Sequence, residues 1–565
     1  MGFTAPVSEF KFIFDHVIGY EAIAATDRFD HADRATAMAA LTEAGRVATE
    51  VFAPLQRSGD ETPARLENGI VRTSPGFAAG YHALAEGGWV APSAPMDYDG
   101  MGLPITLTSA VNDMLSAACI SLQLNPLMTQ GQIDALEAHA SDEIKALYLP
   151  KLIRGDWTGT MNLTEPQAGS DVGALRTKAE PKGDGTYAIT GQKIYISWGD
   201  TDFARNVCHL VLARLPGGVP GTKGISLFLV PKYLPDDKGQ PGVANQLKVV
   251  SLEEKMGLHG SPTAVMQYEG ATGWLVGEEH NGMAAMFTMM NNARLGVGIQ
   301  GIGVAEGATQ HAMAYALDRV QGRAEGRGTI IEHADVRRML STMKAEVFAA
   351  RAIALSCAKA TDMAGATGDA TWKARAALLT PIAKAYGTEV GCRVSELGVQ
   401  VHGGMGVIEE TGAAQFYRDV RVTAIYEGTN GIQAIDLVGR KMKDGGEAAH
   451  RLLDEVEEAA EAARAAEPEL AQAVWDAAET LRETTEWLVA QPMAERLAGA
   501  TPYLMALARV LGAAFHLRAA AHGAPRRALA AFYIDRLLPE HQALVAHAKA
   551  GSDGLYALTA EELAA

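Results

Sequence analysis

Cysteine is scarce in this chain. There are four in 565 residues: Cys119, Cys208, Cys357 and Cys392. They are scattered, with no C-x-x-C pair and no histidine at metal-ligand spacing, so neither a disulfide scaffold nor a sequence-local metal site is expected. Positive charge is also short, at 49 Lys and Arg against 67 Asp and Glu, a net charge of −18. That balance argues against a nucleic-acid partner and against general affinity for anionic membranes. It leaves room for an anionic ligand held by local basic groups. The start, MGFTAPVSEFKFIFDHVIG, lacks a basic region followed by an apolar run and a small-residue cleavage site. No apolar stretch is read as approaching the roughly 20 residues of a membrane span. The expectation is a soluble, cytoplasmic protein with buried, reduced thiols and no metal.

What is present is an ordinary globular composition, 48% hydrophobic and 21% charged. The length suggests roughly 3–4 domains, or fewer large ones. Residues 1–35 hold Phe10, Phe12 and Phe14, then Val17 and Ile18, and read as an extension packed on a larger body. From 36 to 158 Ala-rich amphipathic runs predict helices at 36–53, 76–88, 105–121 and 129–153. From 159 to 280 short runs rich in β-branched residues, bounded by Lys182-Gly183-Asp184-Gly185 and Pro216-Gly217-Gly218, predict six or more strands in a small sandwich or barrel. Helix returns over 281–442, where Val336, Leu340, Met343 and Val347 share one face. Asp444-Gly445-Gly446 marks a break before an extra helical domain at 447–565. The fold class read from this order is mainly α with a central β domain.

One motif misleads. GVGIQGIG at 296–303 contains G-x-G-x-x-G, but it lies inside a helical run rather than after a strand, so a nicotinamide site is rejected. Small residues that let two helices approach closely are the better reading.

The stretch that draws attention is YEGTNGIQ at 426–433. Glu427 sits among Ile425, Tyr426, Gly428 and Gly431, and a carboxylate in apolar company has a raised pKa. Such a group suits proton removal from carbon. Gly428-Thr429-Asn430 is equally good turn and cap material, so on these residues alone both readings stand. Four other segments bear on the choice. MNLTEPQAGSDVGALRTKA at 161–179 offers backbone amides and the hydroxyls of Thr164 and Ser170 for a heterocycle or phosphate. GQKIYISWGD at 191–200 presents Tyr195, Ser197 and Trp198 as one wall for a flat ligand. YALDRVQGR at 315–323 and GVQVHGGMGV at 398–407 pair Arg319 and Arg323 with Gly403, Gly404 and Gly406, suiting a phosphate.

Together with EKMGLHGSPT (254–263) and YRDVRV (417–422), these segments closely resemble the acyl-CoA dehydrogenase family of flavoproteins, in order and spacing, over about 40–442. The long extensions resemble its larger subgroup. The resemblance implies an N-terminal helical domain, a middle β-barrel and a C-terminal helical bundle, with FAD bound between the last two. Met161, Leu163 and Thr164 match flavin-ring contacts. Ser170 matches a position at the FAD pyrophosphate or the acyl-CoA. Tyr195 and Ser197 match the aromatic and hydroxyl on the isoalloxazine. Arg319, Gln321, Gln400 and Gly404 match FAD contacts supplied across a dimer interface, and Thr429 a further one. Arg294, Tyr426 and Gly428 fall at the substrate.

Glu427 matches the family's catalytic base, which removes the α-proton of the thioester while a β-hydride passes to flavin N5. In the family the backbone N–H of that glutamate and a ribityl hydroxyl of FAD polarise the carbonyl. Tyr195 stands where many relatives carry Trp, which keeps a stacking face. Gly322 replaces a common aromatic, and Gly431 stands where some relatives hold FAD with a glutamine, so that role is not transferred. The implied partners are an acyl-CoA substrate, electron-transferring flavoprotein and a second copy of the chain in a homodimer. A dehydrogenase of other short- to long-chain fatty acyl-CoAs, an acyl-CoA oxidase and a non-catalytic acyl-CoA-binding protein are the rival readings.

Overall fold

The structure is a computed structural model that describes residues 2–323, 326 and 328–565. Spans 1–35 and 281–442 therefore each include positions outside the described residues. The chain divides into two compact units, one of residues 1–41, 104–113 and 294–565, the other of 42–103 and 114–293.

The second unit is built on a seven-stranded sheet. Its strands are β1 (Trp157–Asn162), β2 (Lys178–Pro181), β3 (Tyr187–Ser197), β4 (Asn206–Arg214), β5 (Ile225–Pro231), β6 (Leu247–Leu252) and β7 (Thr263–Val276). They lie in the order β6-β7-β3-β2-β4-β1, and β5 pairs with both β7 and β4. The path β7-β3-β2-β4-β5-β7 is therefore a closed ring, the barrel alternative. β7 can serve two neighbours because it is long and irregular. Residues 263–273 pair with β3, Trp274–Val276 pair with β5, and register shifts at Ala264/Met266 and Glu269/Ala271 interrupt the ladder with β3. β4 and β5 are apolar on both faces and almost wholly buried. The sequence reading missed β2, whose Lys178, Glu180 and Pro181 give no hydrophobic alternation.

The first unit is helical. Its main elements are α1 (Val7–Ile13), the start of α2 (Ile105–His139), most of α3 (Gly282–Asp318), α4 (Ala334–Thr367), α5 (Ala370–His402) and α6 (Asn430–Asp436). The tail adds α7 (Glu447–Ala463), α8 (Pro468–Ala490), α9 (Ala500–Ala520), α10 (Ala524–Arg536) and α11 (Glu540–Lys549). Residues expected as two helices, 105–121 and 129–153, instead form α2 and a separate helix, Asp142–Ile153. α2 breaks locally at Cys119, at φ −160° and ψ 90°, and continues through Pro126. It is also long and apolar enough to cross a membrane, which corrects the reading of apolar runs; 94% of its most apolar window is buried in the protein.

The G-x-G-x-x-G segment lies inside α3, where its glycines meet α5. A Cβ on Gly298 would lie 2.6 Å from the Ala383 carbonyl oxygen, and one on Gly301 2.7 Å from that of Gly387. Cβ atoms on Gly387 and Gly391 would crowd the Gly298 and Gly301 carbonyls in return, each at 2.7 Å. These glycines are what brings the two backbones together.

The N-terminal extension packs on this unit. Phe10 and Phe14 are buried, and Glu9 pairs with Arg526 on α10 at 2.6 Å. Buried charges tie the tail to the bundle: Arg509 on α9 donates to Glu346 on α4 at 2.6 Å, and Tyr386 on α5 donates to the same carboxylate at 2.8 Å.

Candidate active site

Within the helical unit, Glu427 lies in a loop held from three sides. Both Glu427 (φ +55°) and Gly428 (φ +83°) are left-handed. For a glutamate that conformation costs about 1–2 kcal/mol, so the surroundings must enforce it. α3 contributes Gln300, whose Oε1 accepts the Tyr426 hydroxyl. α6 contributes the buried Gln433, whose Nε2 donates to the Glu427 and Gly428 carbonyls. α5 holds Asn430, whose Oδ1 accepts from Lys384 Nζ and Thr388 Oγ1, each at 3.0 Å. Thr429 caps α6, its Oγ1 accepting the Ile432 N–H at 3.3 Å. Cap and candidate acid are thus the same loop.

The Glu427 carboxylate forms no ion pair or hydrogen bond among the described residues. Burial pushes its pKa up to about 7, against the opposing pull of the Arg294 and Lys384 cations. Arg294 is 6% exposed; burial lowers its pKa, opposed by Asp436 and Glu427. Among the described residues its one ion pair is with Asp436 at 3.4 Å, and its Nε donates to none of them. Lys384 is fully buried, its pKa pushed down by burial to about 8 while Glu427 opposes the shift. The backbone N–H of Glu427 donates to no acceptor among the described residues. The loop therefore holds a proton acceptor poised near neutrality, a free N–H and an under-satisfied guanidinium.

The structure does not bring every candidate in this unit together. Arg319 lies just beyond the C-terminal end of α3, 25 residues after Arg294, or about 37 Å along a helix. Gln321 follows it, and Gln400 and Gly404 lie at the C-terminal end of α5. All four are exposed. The two helix ends are joined by ring stacking of Tyr315 on His402 at 4.4 Å.

In the barrel unit, Met161 is the one half-buried residue of the otherwise buried β1, while Leu163 is buried and Thr164 follows it. The Thr164 carbonyl accepts the Ile194 N–H at 2.9 Å, which fixes this segment beside β3. Tyr195 is 61% exposed with φ +60°, a strained backbone that turns its ring outward. Ser197 is half-buried, and Ser170 lies exposed in the loop after Glu165. The hydroxyls of Thr164, Ser170 and Ser197 bond to nothing among the described residues. Trp198 corrects the sequence reading: it is fully buried, donates to the Ser121 carbonyl at 3.2 Å and packs beside Phe77 and Phe203. It supports the wall from behind; Tyr195 is the exposed ring.

Sequence reasoning also missed the latch beneath this loop. Lys193, fully buried, donates to Glu165 at 2.8 Å and to the Leu163 carbonyl at 2.9 Å. Glu165 also accepts from the N–H groups of Arg176 and Thr177, at 2.7 and 3.0 Å. Burial disfavours its charge, but Lys193 and these hydrogen bonds outweigh that and hold it down at about 2. The signal was Lys193 itself, which shares the inward phase of β3 with Ile189. For Lys384 it was a lone cation in the apolar run PIAKAYG.

Four family descriptions match in order: Acyl-CoA dehydrogenase, N-terminal domain (32–156), middle domain (160–271) and C-terminal domain (280–443), then Acetyl-CoA dehydrogenase C-terminal like (452–559). A 3-methylmercaptopropionyl-CoA dehydrogenase from Ruegeria pomeroyi is 47% identical over 463 residues, covering 80% of this chain and 79% of its own. The chain belongs to the acyl-CoA dehydrogenase family. Among solved structures of this fold, Caenorhabditis elegans ACDH-11 in complex with C11-CoA superposes with a TM-score of 0.79 at 19% identity, over 95% of this chain and 92% of its own. An acyl-CoA dehydrogenase from Bacillus anthracis complexed with FAD superposes with a TM-score of 0.76 at 19% identity, over 92% and 88%. Acyl-CoA dehydrogenases are oxidoreductases, and this chain carries the N-terminal, middle and C-terminal domains of that fold plus the extra C-terminal one.

Proposed function

We propose that this protein is an FAD-dependent acyl-CoA dehydrogenase that converts 3-methylmercaptopropionyl-CoA to methylthioacryloyl-CoA. The observation that carries the activity is the half-buried Glu427 carboxylate, desolvated enough to be pushed up to about 7 and, like its own backbone N–H, without a partner among the described residues. Glu427 takes the α-proton onto its carboxylate. Its N–H donates to the thioester carbonyl and stabilises the charge that develops there. Arg294 keeps the loop electropositive, which limits the rise in the base's pKa.

The barrel unit fits a flavin. Tyr195 offers a ring face at 61% exposure, and Thr164 and Ser197 offer hydroxyls without a partner among the described residues. Leu163 contributes backbone, and Ser170 reaches the pyrophosphate or the CoA. FAD, when bound, supplies the acceptor for the β-hydride at N5, so that the product is the trans-2-enoyl thioester. Tyr426 and Gly428 line the substrate, and Thr429 contacts the cofactor from the loop.

Arg319, Gln321, Gln400 and Gly404 serve FAD in the partner of a homodimer. Their exposure and the length of α3 between Arg294 and Arg319 support this reading. The electron acceptor is electron-transferring flavoprotein, and the compartment is the cytoplasm, which suits four unpaired cysteines.

The finer substrate rests on the Ruegeria pomeroyi relative. An anaerobic panel of acyl-CoAs, scored by flavin bleaching, tests it. Fastest bleaching is expected with 3-methylmercaptopropionyl-CoA. Faster bleaching by straight-chain acyl-CoAs would reassign the substrate, and none with any acyl-CoA would remove the activity. Peroxide formed stoichiometrically in air would make the protein an oxidase.

A further inference from the structure

Lys384 lies fully buried in α5, between Ala383 and Ala385. An ammonium withdrawn from water needs its charge and its donors matched. Its one hydrogen bond among the described residues goes to a neutral acceptor, Asn430 Oδ1, at 3.0 Å. No carboxylate lies within ion-pair distance of it among those residues. Asn430 opens α6 directly after the Thr429 cap, three positions beyond Glu427. Its Oδ1 also accepts Thr388 Oγ1 at 3.0 Å, and its Nδ2 donates to the Ala385 carbonyl at 3.4 Å and to Glu389 at 3.3 Å. One turn of α5 thus grips the first residue of α6, with an unmatched cation at the centre of the grip.

Resting on Glu427 as the base, we propose that Lys384 is its positioning residue: through Asn430 it fixes the loop that presents the carboxylate, and its charge favours the ionised form of that carboxylate. Two cations face Glu427 in this unit, Arg294 and Lys384. Arg294 is partly neutralised by Asp436, which Arg440 also engages, at 2.7 Å. The groups facing Lys384 are Glu427, Arg294 and Cys392. Lys384 is therefore the cation whose charge is least spent elsewhere. Replacing it by a neutral side chain leaves burial opposed by Arg294 alone, and the Glu427 pKa rises.

The test uses the FAD-loaded protein, with Lys384→Met and Lys384→Gln as neutral variants and Lys384→Arg as the conservative one. Two quantities are followed: kcat/KM against pH, and the carboxyl 13C titration of Glu427, assigned by its loss in Glu427→Gln. Both neutral variants are expected to move the acidic limb and the titration midpoint upward by about one pH unit, with the rate recovering at alkaline pH. Lys384→Arg is expected to hold the midpoint near that of the unmodified protein. Equal loss of rate at every pH with an unmoved midpoint would overturn the proposal and leave Lys384 a packing residue. Failure of the underlying reading is separable, because near-native turnover in Glu427→Gln would remove the base whatever Lys384 does.

Discussion

Gln433 Nε2 donates to the carbonyl oxygens of both Glu427 and Gly428, each at 3.2 Å. A single carboxamide, itself buried, therefore braces two consecutive left-handed residues. Replacing it by leucine keeps the bulk and leaves both carbonyls unpaired. Gln433→Leu is expected to cost about 1–3 kcal/mol in chemical denaturation. It should also lower kcat roughly tenfold or more, because the carboxylate is no longer fixed.

The raised pKa of Glu427 has a stability consequence. Its folded value of about 7 lies above the ordinary 4.5, so between those values the folded state holds a proton that the unfolded chain has released. The group's contribution is fully present below 4.5 and is lost as pH rises through 7, a total of about 3 kcal/mol. Glutamine carries no such dependence. Glu427→Gln is therefore expected to melt higher than the unmodified protein at pH 8, with the gap closing by pH 5. A gap of the same size at both pH values would count against a neutral-range carboxylate.

The α3–α5 contact depends on backbone approach. Gly301→Ala places a methyl 2.7 Å from the Gly387 carbonyl oxygen, and Gly391→Ala places one 2.7 Å from that of Gly301. Neither neighbour is a side chain that can rotate away. Each substitution is expected to cost about 1–3 kcal/mol or more, read as a lower Tm. Gly404→Ala, with nothing within 4 Å of its Cβ, is the control and is expected to stay within about 0.5 kcal/mol.

In the barrel unit, Glu165→Leu strands the Lys193 ammonium and is expected to cost about 3–5 kcal/mol, while Glu165→Leu with Lys193→Met recovers most of it. The acid side has a definite sign. Glu165 is held at about 2, below its ordinary 4.5, so its contribution is present above 4.5 and is lost as pH falls toward 2. Denaturation curves of single and double variants at pH 7 and pH 3 check both statements.

Much of this architecture was legible in the chain because the relevant signals are local. Strand runs such as NVCHLVLAR, the Gly-rich break before α7 and the misplaced G-x-G-x-x-G each carry their periodicity or context in a few residues. The strand runs left sandwich and barrel open and only the resemblance implied the barrel, because closure depends on β7 pairing with two strands at once. Trp198 was misassigned because β3 ends at Ser197, after which alternation no longer predicts facing. Asn430 and Gln433 were in view within YEGTNGIQ, but their partners lie more than 40 residues away on α5 or act back on the loop's own carbonyls. Lys384 and Lys193 are buried cations whose roles depend on contacts no spacing rule encodes.

The central claim is that Glu427 takes the α-proton. Rapid mixing of the FAD-loaded protein with 3-methylmercaptopropionyl-CoA under anaerobic conditions, in the unmodified form and as Glu427→Gln, tests it most directly. The account predicts rapid flavin bleaching in the first and bleaching slowed by at least about 1,000-fold in the second, with acyl-CoA binding retained. Bleaching of Glu427→Gln at the unmodified rate would contradict it.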